Sequence, residues 1–355
     1  MKRNTILWGL MAAMPLLFVG CTDNQKASDS NKVVAVAKKR IRPTYETGNG
    51  VYYWKTVFKL SETEKQFLKE QKVEKLYLRL FDVDYDVDYD GRQKSIPIAT
   101  TRFVSEIPEN VEVVPVVYIT QSAIKKDHEF AKVLYDRIKA MGKRNGFENQ
   151  IWEIQLDCDW TAGSREPFFA LCREVADFAH QDGIEVSATI RLHQLKQSAP
   201  PVDKGVLMLY NTGSLYRKET KNSILSYSDV APYLKGEINY KAPLSLAFPI
   251  YGWAVLFRNN QFAAILHHTD FSDQSLYKEM EDDRYQVSKS HYLDNVELKK
   301  GDIIRLERSS YDEIMKVKEK VMDCLEDSFQ NHVIYHLDSL GLSKFSKSEL
   351  SNILK

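Results

Sequence analysis

The chain has no excess of charge of either sign: 49 Lys and Arg stand against 49 Asp and Glu in 355 residues. Nucleic-acid binding rests on a basic excess or stripe that neutralises phosphates, so no nucleic-acid partner is expected. Cysteine is scarce. Of the four present, Cys158, Cys172 and Cys324 show no metal-ligand spacing and read as small buried apolar groups, with one disulfide left open as an alternative. No metal and no cofactor are expected. A run of about 20 apolar residues, enough to span a bilayer, is also missing. The apolar stretch near the start, Ile6 to Gly20, falls short of it. Aromatics, by contrast, are plentiful, at 5 Trp, 19 Tyr and 16 Phe. Most belong in a core, but aromatic faces also pack on sugar rings.

Lys2 and Arg3 precede that apolar stretch, which ends in LLFVGC. A basic start, a short apolar run and small residues before a cysteine resemble a bacterial lipoprotein signal. An ordinary cleaved signal is the alternative, and Phe18 departs from the commoner Leu at its position. The resemblance implies lipidation of Cys21, with acyl chains such as palmitate, and a lipid-anchored place in the bacterial cell envelope, the outer membrane being favoured. TDNQKASDSNK after Cys21 holds almost no large apolar group, so it cannot bury enough surface to offset the entropy of ordering. The expected organisation is a signal at 1–20, a flexible tether at 21–48 and one barrel-like domain at 49–355.

From Val51 onward, strand-like and helix-like stretches alternate. VYYWKTVFKL, VEKLYLRLFDVD, VEVVPVVYIT, IWEIQLDCDWT, IEVSATIRLHQ, KGVLMLYNTG, APLSLAFPIYGWAVLF and HVIYHLDSL read as eight strands. Helical periodicity falls on SETEKQFLKEQK, EFAKVLYDRIKAMGKRNG, REPFFALCREVADFAHQDG, YSDVAPYLKGEI and YDEIMKVKEKVMDCLED. Ser61 with Glu64 forms a capping-box pattern, and Gly146 marks a helix stop. Eight strands alternating with helices predict an α/β fold, a (β/α)8 TIM-type barrel, with a doubly wound open sheet as the alternative. The alternation fails between Trp253 and Tyr311, where VLFRNNQFAAIL reads as a hairpin turning at Asn259–Asn260; this segment reads as an insertion after the seventh strand.

Two strands carry an unusual pattern. In the fourth, Trp152, Ile154, Leu156, Cys158 and Trp160 alternate with Glu153, Gln155, Asp157, Asp159 and Thr161. In the fifth, Val186, Ala188, Ile190 and Leu192 alternate with Glu185, Ser187, Thr189, Arg191 and His193. Alternate side chains point to opposite faces of a strand, so each strand offers one apolar face to the helix layer and one polar face to the barrel lumen. Barrel interiors are mostly branched and apolar, and carboxylates are costly to bury unless paired. A polar lumen therefore indicates either a buried ion network around Arg191 or a functional pocket at the C-terminal strand ends, where barrel enzymes place their sites.

QLDCDWT resembles the fourth-strand motif DxxDxDxE of chitinase-type (family 18) glycoside hydrolases. MLYN (Met208 to Asn211) resembles the sixth-strand motif of that family, and FPIYGW (Phe248 to Trp253) its seventh-strand segment. The three matches fall in order over Val51 to Leu256. By this resemblance Asp157 and Asp159 take the second and third aspartate positions and are the catalytic candidates. Gln155, Arg191, His193, Tyr210, Asn211, Tyr251 and Trp253 are the substrate-binding candidates. The first aspartate is absent, with Glu153 or its neighbour nearest to it, and the catalytic glutamate falls on Thr161. In that family the sugar's own acetamide attacks while the glutamate protonates the leaving oxygen. A threonine hydroxyl does not supply that proton at neutral pH, and losing a general acid costs about 10² to 10⁴ in rate.

The resemblance thus implies an envelope protein that binds a glycan or oligosaccharide without the family's acid. Two other readings stay open: an active glycoside hydrolase with a relocated acid, and a structural envelope protein. Asp157 or Asp159 could be that acid, since two carboxylates about 7 Å apart on one strand raise one pKa; His193, Glu185, His336 and Asp338 are further candidates. Asp82, Asp84, Asp86, Asp88 and Asp90 form an acidic run in FDVDYDVDYDG that reads as a solvated loop, with a cation site as the alternative. His267 and His268 are adjacent, and in an extended chain they point apart.

Overall fold

The structure, a computed structural model, describes residues 42–355 apart from 88–90, 128, 237, 239 and 326–328. The signal, Cys21 and most of the expected tether lie outside the described residues, as do Asp88 and Asp90.

Eight parallel strands close into a barrel: β1 (Gly50–Tyr53), β2 (Lys75–Val87), β3 (Glu112–Ile119), β4 (Glu153–Asp157), β5 (Glu185–Arg191), β6 (Lys204–Met208), β7 (Leu244–Pro249) and β8 (Phe329–Tyr335). Each pairs with its sequence neighbours, and β1 pairs with both β2 and β8, which closes the ring. The doubly wound alternative is thereby excluded. Helices α1 (Glu62–Glu70), α2 (Ala131–Arg144), α3 (Arg165–Gln181) and α4 (Tyr311–Leu325) cover the outside. Ser61 caps α1 through the expected capping box with Glu64, a contribution of about 1 kcal/mol. Beyond the end of α2, Gly146 takes φ +78°, a left-handed conformation that glycine adopts without steric cost. Between β5 and β6 the chain crosses with only a short 3-10 turn at Leu192–Gln194. Among the described residues no helix is long and apolar enough to cross a membrane.

The parity of β4 and β5 decides the layers. Ile154, Leu156, Cys158 and Trp160 join Val186, Ala188, Ile190 and Leu192 in the large core between barrel and helices. Trp160 meets Phe169 of α3 edge-on at 5.4 Å. A second apolar cluster fills part of the lumen, with Tyr52, Tyr77, Val114, Val116, Val206, Met208, Tyr210, Ala247 and Val333. Below it, at the N-terminal strand ends, sits a buried ion cluster. Lys75 Nζ lies 2.8 Å from Glu153 and 3.7 Å from Glu112, while Lys204 Nζ lies 3.3 Å from Glu153 and 2.6 Å from Glu185. Burial alone would raise the Glu153 pKa, but the two lysines outweigh it and hold this carboxyl at about 2.

Two segments depart from a plain barrel. The run of aspartates expected to form a loop instead continues β2 as a strand to Val87, paired antiparallel with Gln93–Ile98. Alternation of Val83, Tyr85 and Val87 with the acids gives this stretch an edge-strand pattern that overrides the turn-like composition. Between β7 and α4 the chain forms a five-stranded antiparallel sheet (Gly252–Arg258, Gln261–Leu266, Tyr277–Met280, Arg284–Val287, Ile303–Arg308) with its own apolar cluster. Its first hairpin turns at Asn259 and Asn260, both at positive φ.

Candidate functional site at the C-terminal mouth of the barrel

The inward residues of β4 and β5 bond to one another rung by rung. Gln155 lies at the middle rung, wholly buried, accepting from Tyr52 Oη at 2.6 Å and donating to Ser187 Oγ at 3.2 Å. One rung up, Thr189 Oγ1 donates to Asp157 Oδ1 at 2.7 Å. At the rim, Arg191 Nε donates to Asp159 Oδ1 at 2.6 Å, just past the end of β4. The ion pair weighed from the sequence is therefore present, but at the mouth and half exposed, not as a sealed network.

Asp157 is the buried carboxyl of this set, 4% exposed. Its pKa is pushed up to about 6, first by burial, with the Asp159 and Asp82 carboxylates adding to the rise against Arg191 and the Thr189 hydrogen bond. Asp82 comes from β2 and is held by a bidentate pair from Arg79, at 3.0 and 2.5 Å. Asp82, Arg79, Asp157, Tyr118, Arg191 and Tyr210 line one well of about 260 Å³. Tyr118 is pushed up to about 12, by burial and then by Asp159 and Asp157. The hydroxyl of Tyr210, a residue 3% exposed, has no hydrogen-bond partner among the described residues.

The well opens into two flanking cavities. One, of about 320 Å³, is bounded by Asp159, Arg191, His193, Tyr210, Asn211 and Tyr233. The other, of about 820 Å³, runs under the inserted sheet past Trp54, Tyr251, Trp253, Tyr335, His336 and Arg308. Asn211 borders all three. It sits at φ +53°, which Asn tolerates, and its Oδ1 accepts from Tyr251 Oη at 2.7 Å. The aromatic rings form a chain: Tyr335 stacks on Tyr210 at 4.2 Å and contacts Trp54 at 6.0 Å and Tyr251 at 5.8 Å, and Tyr251 meets Trp253 at 5.2 Å. Trp253 Nε1 donates to the buried Glu307 at 2.7 Å, which leaves the indole face for contact.

Six of the nine residues predicted from sequence for catalysis and binding come together at the two rungs nearest the mouth: Asp157, Asp159, Arg191, Tyr210, Asn211 and Tyr251. Trp253 extends the aromatic wall and His193 stands exposed on the rim. Gln155 lies beneath Asp157 with both amide atoms bonded, and it borders none of the three cavities. Glu185 is at the opposite end of β5, paired with Lys204, so it is no acid for this site. His336 and Asp338 follow β8 rather than ending it, and both border the larger cavity. Asp338 caps the turn Ser339–Leu342 and pairs with Lys55 at 2.9 Å. Thr161 is exposed; its backbone N–H donates to Ser164 Oγ, and it borders none of the three cavities. No group of His, Cys, Asp and Glu suited to a metal exists among the described residues. Cys158 and Cys172 are buried free thiols, and Cys324 is also free.

Trp54, Arg79, Tyr118 and Tyr335 were not singled out from the sequence, and Asp82 was read there only as part of an acidic run. Tyr335 ends β8 and Trp54 follows β1, so the rule that sites gather at C-terminal strand ends points to both. Arg79 and Asp82 lie within β2, on either side of a register shift between Arg79 and Phe81, and no pattern in the sequence marks it.

No protein-family model matches the sequence, and no curated protein sequence matches it. Among solved structures, the C-terminal domain of a proposed chitinase from Desulfitobacterium hafniense DCB-2 is 10% identical, with 87% of this chain and 99% of that one covered at a TM-score of 0.53. The spore cortex-lytic enzyme SleL of Bacillus megaterium QM B1551 is 13% identical, with 89% and 76% covered at a TM-score of 0.50. At these identities the likeness is one of fold, and in fold the chain is similar to barrels of the chitinase and cortex-lytic kind.

Proposed function

We propose that this protein binds a glycan across the C-terminal mouth of its barrel, and does not cut it by the acetamide-assisted route. One observation carries the reading: two adjoining cavities that share Trp54, Asn211 and Tyr335, in which the aromatic chain Trp54, Tyr335, Tyr251, Trp253 stands beside a well lined by Asp157 and Asp82. Sugar rings present apolar faces for such rings and hydroxyls for such carboxyls. The two fold neighbours are a proposed chitinase and a cortex-lytic enzyme, which supports a glycan as ligand. The resemblance of QLDCDWT to the family motif puts the acid at Thr161, whose hydroxyl supplies no proton. The purely structural reading is disfavoured, because a scaffold has no need of an open aromatic cleft.

A second reading keeps the enzyme class. Asp157 at a pKa of about 6 retains its proton in roughly one molecule in ten at pH 7. That is the property of a general acid, and it makes Asp157 the relocated donor if cleavage occurs.

The test is an oligosaccharide array on the full chain in nonionic micelles, followed by a hydrolysis assay on N-acetylglucosamine-based chains. Binding without turnover is the expected outcome. Turnover that is abolished in folded Asp157→Asn would replace the first reading by the second, and no binding at all would reject both.

We also propose that the chain is carried to the bacterial cell envelope as a lipoprotein, acylated at Cys21, with the outer membrane as its site. The LLFVGC pattern supports this. Cys21→Ser is expected to leave the protein unprocessed or released from membranes; a processed variant that still partitions with membranes refutes the anchor.

A further inference from the structure

The two ends of the cleft differ in charge. In the well, Asp82 and Asp157 face Arg79 and Arg191, and both guanidinium groups are engaged, with Asp82 and Asp159 respectively. The larger cavity has a different balance. Arg308 and Lys344 border it together with His267 and His336, and Asp338 is the one carboxylate among its bordering residues. Asp338 is committed elsewhere: Oδ1 lies 2.9 Å from Lys55 Nζ, and Oδ2 accepts from the backbone N–H groups of Leu340 and Gly341. Arg308 has Asp283 at 3.9 Å as its ion partner, with both side chains more than half exposed, an arrangement that solvent screens. Lys344 makes no ion pair among the described residues. Among the described residues, His336 Nδ1, buried at the same cavity, has no hydrogen-bond partner. Arg308 and Lys344 are thus two cations bordering a concave, aromatic-walled space, neither of them held in a close ion pair among the described residues.

A neutral sugar leaves these cations solvated and gains nothing from them. An anion seated there gains charge-assisted hydrogen bonds in a cavity that partly excludes water. A carboxylate fits such a site, since a guanidinium holds it through two parallel hydrogen bonds. We infer that the larger cavity is an anion-accepting subsite, and that the glycan of this protein carries a carboxylate which docks at Arg308 and Lys344 while its ring lies against Tyr251 and Trp253. The inference rests on the glycan-binding reading and narrows it to acidic glycans. Such a carboxylate comes from a uronic acid or from a lactyl ether on an N-acetylated sugar.

Calorimetric titration of the full chain in nonionic micelles separates these cases. The probes are chitotetraose, tetragalacturonate and its methyl ester, and a lactyl-ether-bearing N-acetylated tetrasaccharide with its carboxylate free or amidated. At least one free acid is expected to bind about tenfold tighter than its blocked twin, and the acid that does so identifies the source. The preference is expected to shrink as salt rises from about 0.05 to about 0.5 M. In the double variant Arg308→Gln, Lys344→Gln the ratio of free to blocked affinity is expected to fall to about one. Both side chains are exposed, so the fold is not at stake, and a thermal melt checks it. Equal, salt-independent binding of free and blocked forms overturns the inference and leaves the glycan reading standing. Binding of none of the probes overturns the glycan reading itself, and the inference with it.

Discussion

Asp157 is an ionisable group kept where water would not leave it charged. Its carboxyl is raised from 3.8 to about 6, so the folded state holds a proton that the unfolded state gives up. Between those values the unfolded chain binds fewer protons than the folded one, and stability contributed by this residue falls as pH rises. A shift of about two units corresponds to ~3 kcal/mol lost by pH 7. Asp157→Asn keeps the shape and removes the titration. Its stability relative to wild type is expected to improve between about pH 4 and pH 6 and then level off. Paired denaturant titrations across that range check this, and a difference independent of pH shows that Asp157 is not raised. The inward direction of Asp157 and Asp159 was legible in the sequence, because period-two alternation assigns faces without any knowledge of the partner strands. Asp82 was not legible as their neighbour. It lies 75 positions from Asp157 in the chain, and the pairing of both strands with β3 brings β2 and β4 to one well.

At the scale of elements, β4 works as a two-sided strand, with each side answering to a different layer. Cys158→Ala removes a small apolar group from the outer core, at a cost of about 1 kcal/mol or a little more, and is expected to leave glycan affinity near wild type. Asp159→Ala frees Arg191 on the inner side and is expected to weaken glycan binding by about tenfold. Affinity measured on both folded variants distinguishes the faces; equal losses contradict the division of labour. The inserted sheet reaches the site in a different way. Glu307 accepts from Trp253 Nε1, Ser223 Oγ and Arg305 Nε, and Arg305 in turn donates to backbone carbonyls of residues 215, 217 and 218. The sheet thereby fixes both the indole and the loop after β6. Glu307→Ala leaves a buried guanidinium without its partner and is expected to cost about 3–5 kcal/mol in chemical denaturation. A loss below ~1 kcal/mol rejects that account. Hairpin VLFRNNQFAAIL showed itself through its Asn-Asn turn. The remaining three strands of the sheet stayed hidden, since short, half-exposed strands such as Tyr277–Met280 and Arg284–Val287 carry little alternation.

For the molecule as a whole, the barrel was readable because eight strand-like stretches stand out, most of them separated by helical ones, and that count favours closure over an open sheet. What the count could not supply is the plug at the lower end. Glu153, at about 2, contributes stability that is present above the unfolded value of 4.5 and lost as pH falls toward 2. His332, buried and lowered to about 3, acts in the same direction over 6.5 to 3. Acid unfolding is therefore expected to begin below about pH 5. Glu153→Gln leaves Lys75 and Lys204 short of their shared carboxylate, and it is expected to flatten the acid limb while lowering stability at pH 7 by about 3–5 kcal/mol. An unchanged acid limb in that variant argues against Glu153 as the acid-labile latch.

The plug has a further consequence. Lys75, Glu153 and Lys204 fill the base of the barrel with paired charge. Beneath Asp157 the hydrogen-bond ladder runs Tyr52 to Gln155 to Ser187, and an amide side chain in such a ladder hands no proton along. No relay of hydroxyls therefore leads to Asp157 from beneath, and its carboxyl exchanges protons through the well that it lines. A glycan seated there, as proposed, takes the place of that solvent, so binding and protonation of Asp157 are linked, and the affinity is expected to change across about pH 6.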